Sequence, residues 1–191
     1  MPNLKDLFVL EHIDDSHNDL INDFKIKHKT GRGLEVYLKT KALIDEKNGV
    51  MRTYILTYKS TSECVAYFSL KSGLISIKNE DSTDMDDFDT LPGIEIANFA
   101  INDTFREKNK IDFKLAGLIL QKYILPIARK VSEQVGVYLL YIFSLPIDKV
   151  MDNYKEMGFV TLPQELEDFL NKRVKPAYDK SCRFMYFPMK P

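Results

Sequence analysis

Residues 115–143, LAGLILQKYILPIARKVSEQVGVYLLYIF, decide how the chain folds. Ala116, Ile119, Leu120, Tyr123, Ile124, Ile127, Val131 and Val135 fall on one stripe at helical spacing, while Gln121, Lys122, Arg129 and Lys130 lie off it. A long helix with one apolar face needs a sheet to cover. Pro126 removes a backbone donor from the middle of it, so a kink is expected around Lys122 to Pro126. After Gly136 the period changes, and Val137 to Phe143 is a continuous β-type apolar run, the pattern of a central parallel strand buried on both faces.

The neighbouring segments extend this α-to-β unit in both directions. Upstream, Ile94 to Ile101 reads as another buried strand, interrupted by Glu95. Val50 to Tyr58 and Cys64 to Leu70, separated by Lys59-Ser60-Thr61-Ser62, read as a hairpin whose second strand can run past Gly73 to Ile77. Before them the patterns predict a strand at Leu7–Leu10, a weak helix within Asp14–Lys29, and a second helix from Leu34 to Leu43 that ends before Asn48-Gly49. Downstream, Val150, Tyr154 and Met157 share a short helix stopped by Gly158, with strand resuming at Phe159-Val160. A polar helix from Pro163 to Lys172 and an aromatic strand from Arg183 to Phe187 follow. The expected architecture is α/β: a mixed, twisted sheet of six or seven strands flanked by helices on both faces, in one domain spanning residues 1–191.

Composition bounds the function. The 191 residues are 45% hydrophobic and 29% charged, enough to build a core without metal or disulfide. Lys and Arg total 27 against 28 Asp and Glu, so no overall basic field exists to hold nucleic acid by counterion release. Cys64 and Cys182 lie far apart in no metal-type spacing, which favours reduced thiols and a cytoplasmic setting. The start of the chain mixes Lys5 and Asp6 into a short apolar run, unlike a signal peptide, and no uninterrupted apolar segment is long enough to span a bilayer. His12, His17 and His28 read as surface histidines of the first helix, not as a metal set. The acidic stretch Asn79 to Asp89 reads as a solvated loop, with a negative rim for a cationic acceptor as its functional alternative. No P-loop, dinucleotide-binding turn or nucleophile elbow is present.

The element order, together with Glu95-Ile96-Ala97-Asn98-Phe99-Ala100-Ile101, the helix from Leu115, and Asn153-Tyr154-Lys155-Glu156-Met157-Gly158-Phe159, resembles the GNAT superfamily of acyl-CoA N-acyltransferases over about residues 34–187. That resemblance implies an acetyltransferase that moves an acetyl group from acetyl-CoA to a primary amine by direct attack in a ternary complex. It places Phe99, Ala100 and Ile101 on the strand that receives the pantetheine arm, beside Leu140 to Phe143. It also places the pyrophosphate of coenzyme A at the helix start, around Lys114, Leu115, Ala116 and Gly117. The family loop there is glycine-rich, whereas this chain carries one glycine, so Arg106, Lys110 and Lys114 are the candidate cationic contacts in its place. Tyr154 matches the tyrosine that protonates the departing thiolate, and core packing is its alternative reading. Glu95 matches the strand glutamate that some members use as a base on the amine, and a structural carboxylate is its alternative.

The acceptor implied is a small-molecule or protein amine. The front half is similar to the branch that includes bacterial toxin acetyltransferases acting on aminoacyl-tRNA, the one nucleic-acid partner this reading admits, although those proteins are usually basic and keep the glycine loop. Exposed strand edges in the implied fold often pair into homodimers, no membrane partner is implied, and the single glycine motivates a second reading, a GNAT-fold binding or regulatory protein without turnover.

Overall fold

A computed structural model describes residues 7–78, 87–109, 114–174 and 181–189. Its strands are β1 (Phe8–His12), β2 (Arg52–Tyr58), β3 (Cys64–Lys78), β4 (Phe88–Ile101), β5 (Leu139–Ser144), β6 (Val160–Thr161) and β7 (Arg183–Pro188). They form one sheet in the order β1-β2-β3-β4-β5-β7-β6. β4 and β5 run parallel, while β1–β2, β2–β3, β5–β7 and β6–β7 are antiparallel, so the sheet is mixed. The helices are α1 (Asn18–Asn22), α2 (Arg32–Thr40), α3 (Ala42–Lys47), α4 (Asp103–Asn109), α5 (Leu115–Ile119), α6 (Leu125–Ser132), α7 (Asp148–Glu156) and α8 (Gln164–Asn171). Two compact units result, Met1–Lys71 with Ala97–Ile124, and Ser72–Ile96 with Leu125–Pro191.

In the first unit, β2 and β3 carry the core: Ile55, Leu56, Val65, Ala66, Tyr67 and Phe68 are completely buried. Tyr67 satisfies its hydroxyl inside that core by donating to the Leu34 carbonyl at 2.6 Å, which fastens α2 to β3. The helix expected within 14–29 is reduced to a 3-10 turn, Asp15–His17, and the five residues of α1. The reason lies in side chains that capture the next backbone donors. Lys25 N–H goes to Asn102, Ile26 N–H to Glu35 and Lys27 N–H to Asp103, which holds 25–27 out of helix. His17 is buried and bound to Asp14, and His12 lies on strand β1 with its ring tilted against Tyr54, so neither is a surface histidine of a helix.

The second predicted helix breaks in two at Lys41. Thr40 turns its hydroxyl back to the Val36 carbonyl at 2.7 Å, a bond that competes with the helical ladder and bends the chain there. Between β4 and the long helix the chain also makes α4, which the sequence pattern did not predict. Asn102 caps it by accepting from Thr104 N–H at 3.1 Å, and Phe105 is buried against Tyr58.

In the second unit, every residue of β5 is buried, as its unbroken apolar run predicts. Tyr138 donates its backbone N–H to the Pro92 carbonyl, so β4 extends back through Pro92 to Phe88, earlier than the apolar pattern shows. Gly158 ends the α7 segment at φ +97, where an added Cβ would come within 3.0 Å of the Phe187 ring. The disturbance expected at Pro126 is a π turn, Leu120–Ile124, joining α5 to α6. Widening the ladder just before the proline accommodates its missing N–H and its ring.

Candidate functional site

Glu95 is a carboxylate held by strand geometry. The parallel ladder of β4 with β5 pairs Gly93 with Leu139, Ile94 with Leu140 and Glu95 with Tyr141, and Glu95–Tyr141 is its last pair. Cross-strand partners share a face, so Glu95, Tyr141 and Phe143 point the same way, together with Tyr186 and Phe184 from the β5–β7 register. The rings lie close together: Tyr141 and Phe184 have centroids 5.6 Å apart, as do Phe143 and Phe184. Glu95 is only 6% exposed. A carboxylate in such surroundings needs polar partners, and one is the Tyr141 phenol, whose ionisation is opposed by burial first, then by the Glu95 charge and by the hydrogen bond with the Glu95 side chain.

Tyr154 sits in different company. It lies on α7, buried, with its ring edge-on to Phe159 at 5.3 Å, and Phe159 in turn packs on Phe187. Phe187 pairs with Leu140, so it points to the sheet face opposite Glu95. The residues proposed as acid and base are thus carried on opposite faces of the same unit. Burial pushes the Tyr154 phenol well above its ordinary value, which keeps it protonated and a hydrogen-bond donor at neutral pH. Asp148 occupies the first turn of α7, where its charge complements the helix dipole.

The predicted cofactor residues lie in the first unit. Phe99, Ala100 and Ile101 are the end of β4, with Ala100 buried and the other two half-buried. The following Asn102 is buried and fully engaged, bridging to Cys64, Lys25 and Thr104. Arg106 stands exposed on α4 with a long ion pair to Asp103 at 3.9 Å. Lys110 lies outside the described residues, as does most of the acidic stretch Asn79–Asp89. Lys114 is exposed at the N-cap of α5 and makes no side-chain cap. Leu115, Ala116 and Gly117 form the first turn of α5, where backbone N–H groups lie outside the helix's own ladder. Small side chains at 116 and 117, an uncapped helix start and a cation at 114 suit a phosphate-bearing group. Asn102, the cap that shapes this segment, escapes a motif reading. A capping asparagine ahead of a polar stretch is its only signal.

No protein-family model and no curated protein sequence matches the chain. Solved structures match its fold at low identity. A tyrosine-to-phenylalanine variant of the toxin AtaT shares 18% identity at a TM-score of 0.69, covering 96% of this chain and 90% of that one. A tyrosine-to-phenylalanine variant of KacT shares 17% at 0.69, covering 95% of each chain. AtaT complexed with acetyl-methionyl-tRNAfMet shares 16% at 0.65, covering 95% of this chain and 94% of that one. The likeness is one of fold, and it agrees with the GNAT architecture that the sequence resemblance implies.

Proposed function

We propose that the chain is an acetyl-CoA-dependent N-acetyltransferase acting on a primary amine. The observation that carries this reading is Glu95, a buried carboxylate at the last pair of a short parallel ladder, in the strand of the fold where a base is needed. Acetyl-CoA, when bound, supplies the thioester carbonyl to be attacked and the thiol that leaves.

The residues of the chain divide the work. Backbone N–H groups of Leu115, Ala116 and Gly117, with Lys114, Lys110 and Arg106, hold the pyrophosphate; the backbone of Phe99 to Ile101 aligns the pantetheine arm. Glu95 takes a proton from the incoming ammonium, which frees the lone pair that forms the C–N bond. As the C–S bond breaks, Tyr154 offers its phenolic hydrogen to the sulfur from the opposite face, past the Glu95–Tyr141 pair where the pairing of β4 with β5 ends. Its raised pKa makes it a donor that does not ionise in the working pH range. Positioning of amine and thioester supplies most of the rate.

The first acceptor to test is the α-amine of an aminoacyl-tRNA, because AtaT, with the same fold, has been solved with acetyl-methionyl-tRNAfMet. A net charge of −1 gives tRNA no general attraction, so small amines and protein amines belong in the same screen. Titration calorimetry with acetyl-CoA and with free CoA tests the reading at its base. Micromolar binding at one site per chain is the expected result. No binding at millimolar cofactor overturns it and leaves the second reading, a GNAT-fold binding protein.

A further inference from the structure

We propose that Tyr141 is the positioning residue for Glu95: seated where β3 and β4 carry glycine, its phenol donates a hydrogen bond to the Glu95 carboxylate and fixes its orientation. The inference rests on the reading of Glu95 as the base.

The seat is built from backbone. A Cβ on Gly73 of β3 would overlap the Tyr141 hydroxyl and come within 3.0 Å of Cζ. A Cβ on Gly93 of β4 would lie 3.1 Å from Tyr141 Cδ1 and 3.0 Å from both the Leu139 carbonyl oxygen and Leu139 Cδ1. Two strand-interior glycines, one where a Cβ would overlap the hydroxyl and one where it would crowd the same ring, leave room for that ring. The hydroxyl is the informative part. Tyr141 is 1% exposed, and its neighbours Phe143 and Phe184 show that a plain phenyl ring fits this cluster. Burying a phenol costs free energy unless it is hydrogen-bonded, and the Glu95 side chain, directly across the ladder, is its partner.

Other titratable groups stand near this surface. Tyr186 of β7 is the cross-strand neighbour of Tyr141, and on β3 Lys71 stands two residues before Gly73, on the same side of its strand. Across the ladder with β5, Tyr141 is paired with Glu95 and hydrogen-bonded to it. A phenol donating to a carboxylate restricts its rotation, which keeps the base aimed at the amine proton.

The test follows the Glu95 carboxyl by carbon-13 NMR at neutral pH, with its resonance assigned through Glu95→Gln. In Tyr141→Phe, which removes the donated hydrogen, that resonance should shift. In Gly73→Ala, where the phenol is displaced but kept, it should shift the same way. Fluorotyrosine incorporated at Tyr141, a stronger donor in an unchanged ring, should shift it the opposite way. An unchanged resonance in the folded variants overturns the proposal, and the fluorotyrosine protein decides the matter if the others do not fold. In acetyl transfer, Tyr141→Phe should lower kcat about tenfold with KM for acetyl-CoA unchanged. A wild-type protein that transfers no acetyl group refutes the enzyme reading alone, because the NMR shift reads the Tyr141–Glu95 contact without turnover.

Discussion

Two buried glutamates in the same unit show how differently a fold can hold a carboxylate. Glu167 of α8 is 1% exposed and accepts from Arg183 Nε at 2.9 and 3.0 Å, from Arg183 Nη2 at 2.7 Å and from the Phe184 backbone N–H at 2.9 Å. Its charge is matched by a forked guanidinium and its geometry is tied to β7. Glu95, 6% exposed, faces the neutral phenol of Tyr141 in an aromatic surrounding, across glycines that leave the ring its room. Glu167 is tied to a cation and to the backbone of β7, whereas the Tyr141 hydrogen bond to Glu95 comes from a neutral side chain across the ladder. The first arrangement suits anchoring and the second suits proton transfer.

Glu95→Gln is the sharpest way to break this contrast. It should lower kcat for acetyl transfer roughly 100- to 1,000-fold in single-turnover kinetics, with little change in the midpoint of urea unfolding. If stability falls and the rate does not, Glu95 is an anchor like Glu167. The reverse pattern is expected of Glu167→Gln. It weakens the bonds to Arg183 and removes an acceptor from Phe184 N–H, so the unfolding free energy should drop by about 2 kcal/mol, roughly thirtyfold in the folding equilibrium. Acetyl-CoA affinity of the folded protein, measured by calorimetry, should be unaffected.

Tyr154→Phe comes next in size. The ring stays packed on Phe159, so the fold should hold, and kcat should fall about tenfold with KM for acetyl-CoA unchanged. The raised phenol adds a pH signature. Because burial moves its ionisation upward, the proton is present at all pH values below the ordinary phenol range, and no loss of kcat from this group is expected below about pH 10. An alkaline limb near pH 8 that vanishes in Tyr154→Phe would contradict the burial argument.

The same contrast explains what was legible in the sequence. Apolar periodicity exposes β5, α7 and the Leu115–Ser132 helical run because each buries a continuous face. Glu95 and Tyr154 stand out only because the family resemblance assigns roles to those positions, and it assigns none to their neighbours. Tyr141 looks like one more apolar residue of a buried strand until Gly73 and Gly93 are brought beside it by pairing between distant segments. Asn102, Glu35 and Asp103 determine that residues 25–27 are not helical, through bonds spanning 9 to 77 positions. Local propensity carries no trace of such captures, and the same is true of the Thr40 bond that splits α2 from α3.

Glu35 supplies the smallest test and places a third carboxylate between the two extremes. Burial opposes its ionisation, yet the Ile26 backbone N–H and then Lys39 and Lys25 outweigh that cost, holding its carboxyl at about 2 against an ordinary 4.5. A depressed folded-state value means that the ionised form stabilises the fold, fully above about pH 4.5 and progressively less as the pH falls toward 2. Lys25 is 57% exposed, so solvent screens part of the attraction and about 1 kcal/mol is expected from the group. Glu35→Gln should therefore lower stability by that amount at pH 7, about fivefold in the folding equilibrium, and the loss should vanish by pH 2. Urea unfolding at the two pH values measures it. A deficit that persists undiminished in acid would show that Glu35 holds 25–27 in place through its two acceptor oxygens and not through its charge, and would move it toward the anchoring role of Glu167.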